Sequence, residues 1–201
     1  MRPRFLLWIL VVIALAGGAY LLYRSMGPSA PPAATGSGTA QVGGPFPLVD
    51  QNNKPVTEKV LIGKWSLVFF GFTYCPDVCP TTLSVLGQAL DQLGPKAANV
   101  QVVFVSLDPQ RDTPAQLKTY LGTPGFPPGM IGLTGTPEQT DAAARAYRVF
   151  HEKQGSGPAY TINHSTAIYL MDPRGRFNRV LSYGLTPEEI VRQISDAIRG
   201  S

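Results

Sequence analysis

Basic runs are missing from this chain. No cluster of lysine and arginine, and no basic stripe interleaved with aromatic residues, occurs in its 201 residues, which argues against nucleic acid as a partner. The net charge of +4 is smaller than it looks, because Arg2, Arg4 and Arg24 flank an apolar N-terminal segment and leave 14 basic against 13 acidic residues in the remainder. Charge is sparse, at 15% of residues against 44% hydrophobic, the composition of a chain that folds around a core and not of a disordered one. The four methionines, Met1, Met26, Met130 and Met171, form no thioether cluster, and there is no internal repeat. Cysteine and histidine number two each, so the chemistry of thiols and imidazoles has few carriers.

The segment Phe5 to Tyr23 is uncharged. At about 1.5 Å per residue it is just long enough to cross a hydrocarbon core of roughly 30 Å. It reads as one membrane span preceded by a short cytoplasmic N-terminus, residues 1–4. The rival reading is a cleaved signal peptide, with Arg2 and Arg4 as the basic region and Ala14-Leu15-Ala16 as the cleavage site. The apolar stretch, however, exceeds the ~7–15 residues usual there. Two arginines before the span against Arg24 after it place the N-terminus inside and the C-terminal domain across the membrane. No cysteine stands directly after the span to accept an N-terminal lipid. Residues 24–44 are rich in Pro, Ala, Gly and Ser and read as a flexible tether. The folded domain is expected over 45–201.

Within that domain strand-like and helix-like segments alternate, which favours an α/β fold. Ser66 to Phe72 is an apolar run of strand length, consistent with burial on both faces. Asp77 to Leu93 follows with apolar residues at helical spacing and Gly94-Pro95 as a stop. Val100 to Leu107 reads as a second buried strand. Helices at Thr113 to Leu121 and Pro137 to Tyr147 are each announced by Thr-Pro, a capping residue followed by proline at the first helical position. Gly122 to Gly129 reads as loop. Thr166 to Met171 and Phe177 to Ser182 flank Asp172-Pro173-Arg174-Gly175 and form a hairpin. Thr186-Pro187 then opens a terminal amphipathic helix. This is the order of a thioredoxin-like domain with an added β-hairpin.

Both cysteines lie in Cys75-Pro76-Asp77-Val78-Cys79, at a strand-to-helix junction. Ligands in open α/β sheets bind there, and the positive end of the helix dipole lowers a thiol pKa. One residue more than the usual redox C-x-x-C lets both sulfurs clasp one ion. Thiolates select Cu(I), Zn or an Fe–S cluster, while the same pair can instead cycle between dithiol and disulfide. An exported domain adds a third reading, a structural disulfide, though so short a ring constrains the unfolded chain little. His164 sits in a loop before the strand at Thr166, within reach of a ligand. His151, in an alternating pattern beside charges, reads as solvated. Taken alone, a single histidine is more often structural than a ligand; joined to Cys75 and Cys79, His164 would make three donors, short of the four usual in structural Zn sites. Asp77 is a candidate N-cap or a guide for cations. Asp108, Arg111 and Asp112 read either as a docking face or as a turn closed by a local Arg–Asp pair.

The runs Gly63 to Thr82, Val105 to Pro114 and Asn163-His164-Ser165 followed by Tyr169 to Pro173 closely resemble the Sco/SenC family of copper-delivery proteins, from about Pro45 onward. The resemblance implies a thioredoxin-like domain exported behind one span. It also implies Cu(I) or Cu(II) held by Cys75, Cys79 and His164, and service in assembling cytochrome c oxidase. The implied partner is oxidase subunit II with its copper A centre, with a second periplasmic copper chaperone or a thioredoxin-like reductase alongside. Asn163 departs from the family, which commonly has Asp there. The expected location is a bacterial inner membrane, with the domain in the periplasm. The rival activities are a thiol-disulfide reductase using Cys75 and Cys79 on the oxidase's copper-ligating cysteines, and a peroxidase.

Overall fold

The computed structural model describes residues 42–200 together with Tyr20. The expected span 5–23, Tyr20 apart, and most of the tether 24–44 lie outside the described residues. Among the described residues, no helix is long and apolar enough to cross a membrane.

The central strand, β3 (Trp65–Gly71), is buried at all seven residues. Side chains alternate across a strand, so both faces of the sheet are covered here. β3 pairs in parallel with β4 (Val100–Ser106), and β4 in parallel with β5 (Ile131–Thr134). On the other side β3 pairs antiparallel with β8 (Ile168–Met171), and β8 with β9 (Phe177–Leu181), as the hairpin motif requires. β1 (Leu48–Asp50) and β2 (Pro55–Val56) extend the far side, for a seven-stranded order β2-β1-β5-β4-β3-β8-β9. A separate two-stranded ribbon joins β6 (His151–Gln154) to β7 (Thr161–His164).

Four helices complete the domain: α1 (Val78–Leu93), α2 (Pro114–Leu121), α3 (Pro137–Ala146) and α4 (Pro187–Arg199). α1 lies against α4 and α2 against β5. The Thr-Pro signals act as read. Thr113 accepts from the Gln116 N–H, and Thr136 and Thr186 form full capping boxes with Gln139 and Glu189, each typically worth ~1 kcal/mol. Asp77 differs: it holds the N-cap position of α1, but its carboxylate caps no N–H and instead accepts from Thr81 Oγ1 at 3.3 Å.

The loop read at 122–129 is real and is held against α1 by a backbone approach. A Cβ at Gly87 would sit 2.3 Å from the Gly125 carbonyl oxygen, so only glycine fits. β5 follows this loop and carries no strand signal in its own four residues, IGLT; it forms because β4 and β1 supply ladders on both sides.

Candidate metal centre

β3 ends by delivering the chain to the cysteine loop at the carboxyl edge of the sheet. Cys75 lies in the loop, half-buried, and Cys79 in the first turn of α1 at 0% exposure; both are free thiols. The turn is closed by the Cys75 N–H donating to the Phe72 carbonyl at 3.2 Å and by the Cys79 N–H donating to Cys75 Sγ at 3.4 Å. Pro76 and Pro80 remove backbone donors that would compete.

His164 ends β7 and reaches the same place from 85 residues away: its Nε2 is 3.7 Å from Cys79 Sγ. Nδ1 lies 2.8 Å from the Ser165 carbonyl oxygen. A carbonyl only accepts, so Nδ1 carries the proton and Nε2 turns its lone pair toward the sulfur. A backbone carbonyl thus orients the imidazole, and Asn163 is exposed. Phe72 and Phe69 meet the imidazole edge-on, at 5.9 and 6.4 Å between centroids.

One residue essential to this geometry has no chemistry of its own. A Cβ at Gly71, the last residue of β3, would stand 2.8 Å from Cys79 Sγ and 3.0 Å from the Phe104 ring. Its absence makes room for the buried sulfur. In the sequence Gly71 looks like an ordinary interruption of an apolar strand.

The two thiols titrate as a pair. The Cys79 thiol donating to the Cys75 sulfur holds Cys75 down at about 5 against its partial burial, with the N–H groups of Cys79 and Asp77 and the nearby His164 pulling the same way. The same contact, with burial and the charges of Cys75 and Asp112, pushes Cys79 far up. At neutral pH the pair therefore carries a thiolate at Cys75 and a thiol at Cys79. Alkylation of Cys75 in the full chain, followed by mass spectrometry, is expected to rise through a midpoint near pH 5 instead of the ordinary value of about 8.5. A midpoint at or above 8 would contradict this pairing.

Among the described residues, no three His, Cys, Asp or Glu side chains form a ready-made metal cage; the arrangement is a Cys79–His164 contact with Cys75 alongside. Its spacing fits an ion. Bonds of about 2.3 Å to sulfur and 2.0 Å to nitrogen separate two ligands of one ion by about 3.7 Å at a trigonal angle, against 3.7 Å observed.

The acidic loop after β4 is not a docking face. Asp108 and Asp112 are 3% and 0% exposed. Asp108 pairs with Arg111 at 2.5 Å, the local pair that was the other reading of this motif. Asp112 accepts from the Thr73 N–H at 3.1 Å, the Thr73 hydroxyl at 2.6 Å and the Ser106 hydroxyl at 2.7 Å, so it joins the ends of β3 and β4 just before the cysteines. Burial pushes its pKa up despite these bonds. His151 is also less solvated than its pattern suggests: it is half-buried, lies directly across the ribbon from His164, and places Nε2 3.3 Å from Asp141 of α3.

A thioredoxin-like domain with a C-x-x-x-C pair and a distant imidazole meeting at the carboxyl edge of its sheet defines a class of thiol-and-imidazole proteins. The chain belongs to the SCO1/SenC family, which it matches over residues 34–199. Protein SenC of Rhodobacter capsulatus is 45% identical over 161 residues, 80% of this chain and 72% of its own length. Mitochondrial protein SCO1 of Saccharomyces cerevisiae is 43% identical over 146 residues, 71% of this chain but 49% of the yeast protein, so the chain spans about half of that relative. The crystal structure of Arabidopsis thaliana ScoI with copper bound superposes with a TM-score of 0.75 at 39% identity, covering 80% of this chain and 99% of that one. BsSco, described as a member of the Sco family of cytochrome c oxidase assembly proteins and as carrying a disulfide switch, superposes with a TM-score of 0.63 at 25% identity over 78% of this chain and 92% of its own.

Proposed function

We propose that this chain is a copper metallochaperone in which Cys75, Cys79 and His164 hold one Cu(I), and in the oxidised metal state Cu(II), for delivery to cytochrome c oxidase. The observation that carries the reading is the approach of His164 Nε2 to Cys79 Sγ at 3.7 Å beside the low-pKa Cys75. Two soft sulfurs and one imidazole suit Cu(I), and copper is what the Arabidopsis relative holds. Cys75 is pre-ionised, His164 is held in the ligating tautomer by Ser165, and Cys79 loses its proton on metal binding, as thiol ligands must. Half-burial of Cys75 and His164 leaves one side of the site open, so an acceptor's ligands enter before the donor's leave. The acceptor we assign is the copper A centre of oxidase subunit II. Residues 5–23 anchor the chain in a bacterial inner membrane, and 24–44 tether the domain in the periplasm.

The test is copper stoichiometry of the full chain, reduced and loaded anaerobically with Cu(I), beside His164→Ala. One copper per wild-type chain is expected. The variant should bind at least roughly 100-fold more weakly, since even changes to groups behind a ligand cost ~10–100-fold. Retention of no copper by the wild-type chain would sink the proposal.

A second reading has its own support in the low Cys75 pKa: thiol-disulfide reduction of the oxidase's copper-ligating cysteines. Cys75 thiolate would attack a disulfide sulfur. Cys79 would then resolve the mixed disulfide, two electrons passing to the substrate as Cys75 and Cys79 join. His164→Ala separates the two, sharply weakening copper retention while leaving dithiol exchange largely intact.

A further inference from the structure

The ribbon that carries His164 has little to hold it in place. It is two-stranded, detached from the main sheet, and mostly exposed, with Ile162 its one buried residue. Two strands alone are marginal in water. A ligand on such an element needs external ties: Ile162 enters the core and His151 of β6 meets Asp141, while one side chain, Arg111, holds the entry to β7.

Arg111 follows β4, in the loop that also carries Asp108. Its Nε donates to Asp108 Oδ2 at 2.5 Å, and Nη1 donates to the Tyr160 and Pro158 carbonyls at 3.0 and 3.3 Å. The guanidinium also lies 3.6 Å from the centre of the Tyr160 ring. That ring receives the Lys153 ammonium of β6 at 3.6 Å as well, and two cations at that range require opposite faces. Tyr160 Oη donates to Asp108 Oδ1 at 2.5 Å. Tyr160 immediately precedes β7, so its ring and backbone are gripped at the point where the chain enters the strand that ends at His164.

The same guanidinium touches the other half of the site. It stands 4.6 Å from the Tyr74 ring, next to Cys75, and 6.0 Å from Phe72, whose ring meets His164 edge-on. Its Nη2 is buried with no acceptor among the described residues. Arg111 thus contacts both the cysteine loop, at Tyr74, and the chain entering the histidine ribbon, at Pro158 and Tyr160.

We infer that Asp108, Arg111 and Tyr160 form a clamp that positions His164 against Cys79, setting the approach of the third ligand without themselves touching metal. The inference rests on the copper reading above for its consequence, but the clamp itself is a property of the metal-free chain. Lysine could not replace Arg111, because the grip uses a planar fork that stacks and donates along two edges.

The test uses the full chain with Arg111→Ala and Tyr160→Phe, the latter keeping the stacked ring and losing only the bond to Asp108. In the metal-free protein, hydrogen exchange at the Ser165 N–H, which bonds to the Phe150 carbonyl at 3.0 Å and closes the ribbon beside His164, is expected to accelerate at least about tenfold in Arg111→Ala and less in Tyr160→Phe. Cu(I) affinity, measured by chelator competition, should fall roughly 10–100-fold and by a smaller factor, in the same order. Unchanged exchange at Ser165 overturns the clamp whether or not copper binds. Faster exchange with wild-type affinity overturns its positioning role. If Arg111→Ala does not fold, Tyr160→Phe carries the same decision. A wild-type chain that takes no copper refutes the metallochaperone reading, and the exchange arm still decides on the clamp.

Discussion

Replacing Asp112 by alanine is expected to destabilise the domain by about 3 kcal/mol, read as a lowered urea midpoint at unchanged slope. The carboxylate accepts from the Thr73 N–H, the Thr73 hydroxyl and the Ser106 hydroxyl, and it is fully buried. Donors left unpaired inside a protein cost about 1–3 kcal/mol each, offset in part because burial disfavours the charged carboxylate. The pH dependence has a definite sign. Burial raises the folded-state pKa of Asp112, so between the unfolded value, about 3.9, and the folded value the native state binds more protons than the unfolded one. The proton-linked part of the Asp112 contribution is then fully present below the unfolded pKa and is lost as pH rises through the folded one. Alanine removes that downward slope. Thr73 stands two residues before Cys75, so the Cys75 alkylation midpoint should move upward as the loop loosens. A loss below about 1 kcal/mol, with the Cys75 profile unchanged, would mean that Asp112 is a passenger in this network.

Gly71→Ala carries the second large effect. The new methyl carbon would stand 2.8 Å from Cys79 Sγ and 3.0 Å from Phe104. Cys79 and Phe104 are both at 0% exposure, so neither can swing into solvent. Overpacking of this kind costs about 1–3 kcal/mol, and at this size each kcal/mol lowers the melting temperature by roughly 2–4 °C. The functional loss should be greater than the loss of stability. Relief requires the Cys79 sulfur to move away from its place beside His164, and Cu(I) affinity is expected to fall by more than about tenfold. Alanine with wild-type affinity and melting temperature would show that the sulfur has other room.

Much of the fold was legible where local physics acts alone. Ser66 to Phe72 is too apolar for any place but a two-sided interior, and all seven residues of β3 are buried. Thr113, Thr136 and Thr186 cap their helices because a threonine hydroxyl followed by proline satisfies the first turn whatever surrounds it. Asp77 was legible only in part, since it sits at the N-cap without capping. β5 was not legible, because its pairing partners, not its four residues, make it a strand. Nor was the burial of Asp112, whose Asp-Pro neighbourhood and nearby Arg111 look like solvated loop until Thr73 and Ser106 close over it.

The sequence by itself determined the i, i+4 cysteine pair, its place between an apolar strand and a helix, and the resemblance that singles out His164. These follow from covalent neighbours and short-range periodicity, which are written in the order of residues. Only the tertiary structure decided that His164 Nε2 faces Cys79 Sγ, that Gly71 vacates the space for that sulfur, and that Arg111 grips both halves of the site. The first and third join segments far apart in the chain, 85 residues in the first case, and the second depends on how the end of β3 packs against the first turn of α1. The geometry of such contacts depends on how the sheet, the ribbon and the loops pack together.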